Sequence, residues 1–318
     1  MESTFRWRFP EGAVALLAGL VAVMACGPSQ EVTSTASNSS PLASARVRSV
    51  ASLSPAASHF LLALGVGDRI VAVDPRSSEI PTLGGHPVVD LPAASELAPD
   101  LILAPAAVAE APLARESSDV GHEVVVFEPH SLEEAFALCR DLGARLVGAA
   151  RATAFEHALS RELAEIAGAS FGRPRPRVAA VIGSAPLEFA GGHSFITDFI
   201  EIAGGTSVTH GGGEQRIAVD ADRLADFAPD LLLVVGPGER SQDERRAIQQ
   251  ALPVAYPIEF FVFDPDRFWI REEAVDAARR LRAVIEPISR ELERTAKYRR
   301  RPRNESVADA DLFRLTAR

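Results

Sequence analysis

Two short strings in the sequence match motifs of serine hydrolases. Residues 168–172 read G-A-S-F-G, which fits the G-x-S-x-G pattern, and residues 210–213 read H-G-G-G, which fits an oxyanion loop. A nucleophile elbow needs a strand before the serine and a helix after it, because that turn lifts the hydroxyl out of the sheet. Ser170 instead follows a predicted helix and precedes an Arg-Pro-Arg-Pro run, which cannot begin a helix. An esterase therefore stays an alternative that requires Ser170 on such an elbow.

Metal and nucleotide chemistry are the next possibilities. No histidine lies two to four residues from another, which is the spacing that brings two imidazoles into one ligand shell. The sequence also lacks the glycine-rich patterns that hold phosphate groups and the paired cysteines that hold zinc. Neither a bare metal ion nor a cofactor is predicted. The histidines are His59, His86, His122, His130, His157, His193 and His210.

Composition narrows the class of protein and of partner. The chain has 318 residues, of which 47% are apolar and 24% charged, as in a globular protein long enough for two domains. Its formal net charge is −10, so it has no broad basic field with which to displace counterions from a nucleic acid. Nucleic acid is excluded as an expected partner.

The first 26 residues form a unit of their own. Arg6 and Arg8 precede an uncharged run from Ala13 to Ala25, which is shorter than the roughly 20 residues that a membrane-spanning helix needs. The run ends in Ala25-Cys26 and resembles the lipobox of bacterial lipoproteins. We expect a signal peptide over 1–26, lipidation of Cys26 and a flexible tether over 27–45. The protein would then be exported and anchored by lipid, facing the periplasm or the cell exterior.

The remainder of the chain contains an internal duplication. The segment R-V-R-S-V at 46–50 is matched 131 residues later by R-V-A-A-V at 177–181. A second segment, A-P-D-L-I-L at 98–103, is matched 130 residues later by A-P-D-L-L-L at 228–233. The two halves therefore share one structural plan.

Each half predicts alternating strands and helices. Helical stretches at 56–64 and 195–203 end at glycines, and continuous apolar runs at 101–104 and 231–235 are typical of strands buried on both faces. Further strands are predicted at 124–127 and 260–263. Such alternation favours parallel sheets with right-handed crossovers, so the fold class is α/β with two Rossmann-like lobes.

A proline-free segment separates the two halves. Apolar residues at three-to-four spacing predict a long helix over 151–169, which would extend about 28 Å as a rigid connection. The predicted organisation is an N-terminal lobe over 46–148, a connecting helix over 149–172 and a C-terminal lobe over 173–297. A basic tail over 298–318 is expected to be disordered.

Several of these landmarks together resemble a known family. The opening V-A-S-L-S-P at 50–55, A-L-G-V-G-D at 63–68, the paired Ala-Pro-Asp-Leu turns, F-A-G-G at 189–192 and I-A-G-G at 202–205 occur in the family's order. The chain is similar over about 46–290 to the helical-backbone substrate-binding proteins of ABC importers, which serve cobalamin, ferric siderophores and haem.

The resemblance implies a non-catalytic, monomeric receptor that holds a metal chelate between rigid lobes and delivers it to an ABC permease. Ligand side chains in the family come from loops at the cleft-facing ends of strands. A cobalamin-binding member has tryptophans at the positions of His86, Pro105 and Arg216, so a polar ligand such as an anionic ferric chelate is favoured here. The ligand-binding candidates carried over by position are Ser54, Arg76, His86, Glu188, Arg216 and Asp266.

The family also contacts its permease through one acidic residue on each lobe. The resemblance gives Asp222 on the second lobe but Pro92 on the first, and Glu96 lies one helical turn from Pro92. This departure leaves open an alternative, a sensory or interaction module that keeps the fold but no longer serves transport.

Overall fold

The computed structural model describes residues 47–110, 123–184, 186–239, 241–252 and 256–300. The predicted signal peptide, Cys26, the tether and the end of the basic tail lie outside these ranges. No helix within them is long and apolar enough to cross a membrane.

The first sheet is parallel throughout, as the sequence predicts. Its strands lie in the order β2-β1-β3-β4. Alternate residues of β3 reach opposite sides, with Leu101 and Leu103 in one core and Ile102 and Ala104 in the other. Burial on both faces explains the continuous apolar run. The strands are β1 (Val50–Ser52), β2 (Ile70–Val73), β3 (Leu101–Ala104) and β4 (Glu123–Val126).

The second sheet is mixed, which the sequence did not predict. The order is β10-β9-β5-β6-β8, with β7 paired to β5, and β6 runs antiparallel to both of its neighbours. The parallel part again consists of the predicted buried runs. The strands are β5 (Arg177–Ser184), β6 (Leu187–Ala190), β7 (Thr206–Ser207), β8 (Arg216–Ala218), β9 (Leu231–Gly236) and β10 (Ile258–Val262).

Helices cover both faces of the sheets, and the largest core cluster includes residues from both halves of the chain. Rings of Phe60 and Phe127 in the first half contact Trp269 in the second at centroid distances of 4.6 and 5.8 Å. The two lobes therefore share one aromatic core. The helices are α1 (Pro55–Ala63), α2 (Leu91–Glu96), α3 (Ala106–Ala109), α4 (Leu132–Val147), α5 (Ala149–Gly168), α6 (Phe195–Ile202), α7 (Ala221–Phe227), α8 (Gln242–Ala251) and α9 (Arg271–Arg300).

The duplicated Ala-Pro-Asp turns perform the same task in each lobe. Asp100 accepts hydrogen bonds from the backbone N–H groups of Arg48 and Ser49 at 2.7 and 3.0 Å, and these bonds lower the pKa of Asp100. Asp230 accepts from the backbone N–H of Arg177 at 2.8 Å. Each aspartate thus fixes the start of its lobe's first strand, which is why the motif recurs.

The predicted connecting helix is α5, and its 20 residues extend about 30 Å. It packs against α4, which precedes it, and against α9 and α6 of the second half. Leu159, Leu163 and Ile166 are buried on its inner face, as the three-to-four spacing indicates.

Candidate functional site

A cavity of about 840 Å³ lies where the first lobe, the connecting helix and the second lobe meet. This volume is within the range of small-molecule sites in proteins. One wall is apolar, and charged side chains of both signs form the remainder. The lining residues are Pro55, His59, Leu62, Ala63, Arg76, Glu79, Ile80, Pro81, Phe155, Ala158, Asp264, Asp266, Arg267, Trp269, Ile270, Arg271 and Glu272.

Two of the predicted ligand-binding residues meet across this cavity. Arg76 follows β2 in the first lobe, Asp266 follows β10 in the second, and Arg76 Nη2 lies 2.8 Å from Asp266 Oδ2. Burial and the neighbouring Asp264 raise the pKa of Asp266 above its usual value, although Arg76 opposes this effect. The ion pair joins the two lobes and places an exposed guanidinium at the cavity.

A buried network of hydroxyl groups positions the loop that carries Arg76. The Asp74 carboxylate accepts the backbone N–H groups of Arg76 and Ser77 at 3.0 and 3.2 Å. The hydroxyl of Ser77 is hydrogen-bonded to Asp74 and accepts from Ser58 at 2.9 Å, and Ser58 in turn contacts Ser52 at 2.8 Å. Since every member has a partner, the network makes the loop rigid.

The opposite loop is fixed by its own acidic residues. Asp264 accepts the backbone N–H of Asp266 at 3.1 Å and so begins a short 3₁₀ turn over Pro265–Arg267. Arg267 forms a two-bond ion pair with Glu273 at the start of α9, and hydrogen bonds to Glu273 raise the pKa of Arg267. The turn therefore presents Asp266 in a defined place.

His59 is a lining residue that sequence analysis missed. It lies on α1 and is 8% exposed. Burial, followed by the nearby Arg267, lowers the pKa of His59, so its imidazole is neutral at neutral pH. The available signal was helical spacing, because Pro55, His59, Leu62 and Ala63 lie on one face of α1 while Phe60 enters the core.

The other predicted ligand-binding residues do not border the cavity. Ser54 is buried and caps α1, its hydroxyl accepting the backbone N–H of Ala57 at 3.2 Å. His86 lies with Nδ1 3.2 Å from the carbonyl oxygen of Leu83.

Glu188 and Arg216 lie together on the neighbouring strands β6 and β8, with Nη1 and Oε2 3.4 Å apart. The structure thus groups Arg76 with Asp266 and Glu188 with Arg216. The predicted meeting of His86 with Arg216 stays a prediction.

A second polar contact joins the lobes at the first turn of α4. His193 Nε2 lies 2.8 Å from Glu134 Oε1, and the backbone N–H of Leu132 donates to Asp198 Oδ2 at 2.8 Å. Burial raises the pKa of Asp198 to about 6, and the hydrogen bond from Leu132 only partly offsets it. For Glu134, burial raises the pKa, but hydrogen bonds from His130 and His193 outweigh it and the net shift is downward.

Glycine is required in the loop that carries His193. A Cβ on Gly191 would lie 1.9 Å from the carbonyl oxygen of Glu214, and one on Gly192 would lie 2.0 Å from that of Gly212. Residues 191–193 therefore approach the 212–215 loop more closely than any other residue type allows. This is the structural role of the H-G-G-G string, which packs over a loop instead of forming an oxyanion hole.

The predicted permease-contacting residues are exposed at the ends of equivalent helices. Asp222 is in the first turn of α7, at the same position as Pro92 in α2, and both helices are capped by an aspartate side chain. Glu96 is the last residue of α2.

The esterase alternative is wrong in its structural requirement. Ser170 lies in a turn between the end of α5 and the start of β5, which is the reverse of the strand-to-helix order that a nucleophile elbow needs. Its hydroxyl packs beside Gly204.

The comparisons with known proteins agree with this architecture. A family model described as "Periplasmic binding protein" matches residues 50–253. The chain belongs to the periplasmic binding protein family. The resemblance drawn from the sequence is confirmed, and the family works outside the cytoplasm. No match was found among curated proteins.

Solved binding proteins share the fold. The periplasmic vitamin B12 binding protein of Vibrio cholerae is 16% identical, with a TM-score of 0.57 over 75% of this chain and 96% of its own. A periplasmic haem-binding protein of Pseudomonas aeruginosa is 20% identical, with a TM-score of 0.60 over 76% and 94%. A protein of the Fe3+-hydroxamate transport system of Saccharomonospora viridis is 18% identical, with a TM-score of 0.53 over 74% and 92%.

Proposed function

We propose that this protein captures one metal chelate between its two lobes and delivers it to an ABC permease, without catalysis and as a monomer. The observation that carries the proposal is the cavity bounded by both lobes and the connecting helix, with Arg76 and Asp266 paired across it. The proteins of similar fold that bind vitamin B12, haem or ferric hydroxamate support a ligand of this class.

A chelate fits the cavity better than a bare ion. Among the residues that the structure describes, no three His, Cys, Asp or Glu side chains form a group able to hold a metal ion. The cavity instead offers arginines to anionic oxygens and an apolar wall to an organic framework. The metal would therefore arrive already coordinated by its carrier.

Delivery to a permease is supported by the exposed acidic residues on equivalent helices. Asp222 and Glu96 would contact basic residues of the membrane protein, one from each lobe. The replacement of the first acidic position by Pro92 favours the alternative of a sensory or interaction module. Loss of ligand uptake in a host carrying Asp222→Ala would support transport, whereas unchanged uptake would favour the sensory module.

The lipid anchor is proposed from the apolar run that ends in Ala25-Cys26. We expect Cys26→Ala to move the protein out of the detergent phase or to leave it unprocessed, since only the thiol can receive the lipid. Mass spectrometry of the purified protein checks this expectation. Acyl chains on the Cys26→Ala protein would contradict it.

Calorimetry with haemin, cobalamin and a set of ferric siderophores tests the site. We expect one of them to bind at one molecule per chain, and Arg76→Ala to weaken that binding by about tenfold, which corresponds to about 1.4 kcal/mol. Arg216→Ala is the matched control, because Arg216 lies outside the cavity and pairs with Glu188. The reverse ranking of the two variants would move the ligand to the β6–β8 edge, and binding of no compound would contradict the proposed function.

A further inference from the structure

His59 occupies a special place in the cavity because its helix face points there while its neighbour does not. Phe60 is fully buried against Trp269, with ring centroids 4.6 Å apart, which fixes the rotation of α1. Pro55, His59, Leu62 and Ala63 consequently line the cavity along one face of the helix. The imidazole is held by a rigid element at the boundary between the two lobes.

The ring nitrogens of His59 have no hydrogen-bond partner among the residues that the structure describes. Buried polar groups are nearly always hydrogen-bonded, so this exception requires an explanation. The charged groups nearest to the ring are Arg267, Glu273, Asp264 and Asp266. Burial and Arg267 keep the imidazole neutral, which leaves one nitrogen with a free lone pair beside the cavity.

A neutral imidazole is the commonest protein ligand for a metal ion. A single such ligand can act here only on a metal that arrives chelated and still has an open coordination position. Iron in a porphyrin has open axial positions, whereas the iron of a hexadentate siderophore has none. The choice of chelate therefore follows from whether His59 binds the metal.

The remaining walls of the cavity suit a flat ring with carboxylate substituents. Leu62, Ile80 and Phe155 provide apolar surface from the first lobe and from the connecting helix. Arg76 and Arg271 are charged partners for carboxylates. The carboxylates of Glu79, Asp264, Asp266 and Glu272 also border the cavity, and the pairing of Asp266 with Arg76 offsets one of them.

We propose that His59 is an axial ligand to the iron of a haem-type cargo. The proposal rests on the proposed function and narrows its ligand class to an iron porphyrin. It reverses the preference for a polar siderophore that the sequence alone indicated.

The test is a titration of the full chain with haemin, followed by absorption and electron paramagnetic resonance spectroscopy. We expect a spectrum of imidazole-ligated iron that His59→Ala abolishes, with affinity reduced by about tenfold or more. Imidazole added to the His59→Ala protein should restore the spectrum. His157→Ala is the matched control, because His157 is exposed on α5 and should leave the spectrum unchanged.

The outcomes separate the two proposals. An imidazole signature that persists in His59→Ala overturns the assignment of this ligand. Binding of a ferric siderophore but not haemin overturns the haem proposal and leaves the proposed function standing, whereas binding of no chelate contradicts both. Resonance Raman spectroscopy of the unsubstituted protein detects the iron–histidine bond directly, so the test does not depend on how well the variant folds.

Discussion

The Trp269→Ala protein should be less stable than the wild type by about 3–5 kcal/mol. Trp269 is 1% exposed and contacts four phenylalanine rings, two from the first lobe, one from the connecting helix and one from its own loop. Removing it leaves a cavity in the core that the lobes share, so the lost packing affects the attachment of one lobe to the other. Equilibrium unfolding in urea, followed by circular dichroism, measures the change.

Phe171→Ala is the control for loss of an aromatic ring. Phe171 is 93% exposed, so we expect its removal to change the free energy of unfolding by no more than about 0.5 kcal/mol. Trp269→Phe should cost much less than Trp269→Ala, because the indole N–H has no hydrogen-bond acceptor among the described residues. A Trp269→Ala protein within 1 kcal/mol of the wild type, a margin well below typical core truncations, would contradict the shared core.

The Asp198→Asn protein should gain stability over the wild type as the pH rises. Burial raises the pKa of Asp198 to about 6, whereas an unfolded chain titrates near its ordinary value of 3.8. Between these values the folded protein binds a proton that the unfolded chain does not. The wild type therefore loses stability as the pH rises through this window, by about 2–3 kcal/mol at pH 7.5.

Asparagine does not titrate, and its side-chain oxygen still accepts the N–H of Leu132. We expect the two proteins to have similar stability near pH 4 and to diverge above pH 6, an order-of-magnitude window set by the two pKa values. Asp198→Ala serves as the comparison, because it loses the charge and the acceptor together and should be less stable than Asp198→Asn at every pH. Unfolding in urea at a series of pH values measures this, and a difference independent of pH would contradict the buried carboxylate.

Local chemistry made much of the fold predictable. The paired Ala-Pro-Asp turns could be identified because each aspartate binds the backbone of a neighbouring strand in the same way. The apolar runs of β3 and β9 predicted strands because burial on both faces leaves no polar alternation. The antiparallel strands β6 and β8 were missed, since β8 has only three residues and its pairing depends on the glycine loop at 191–192.

The site was less predictable because its members come together only in three dimensions. Arg76 and Asp266 are 190 residues apart, and positional resemblance alone brought them onto the same candidate set. His59 lay on a helix with no local signal of ligand binding, and its role depends on Phe60 being the residue that enters the core. Charge and residue type identified candidates, but packing decided which of them share the cavity.

The most direct test of the account is a crystal structure of the protein grown with the chelate that binds it most tightly, with the metal located by its anomalous scattering. The account predicts one metal position per chain, inside the cavity bounded by Arg76, Phe155 and Asp266, with the lobes in nearly the same relation as without ligand. A metal located beside Glu188 and Arg216 on the edge of the second sheet, or in a cleft formed by a large movement of the lobes, would contradict it.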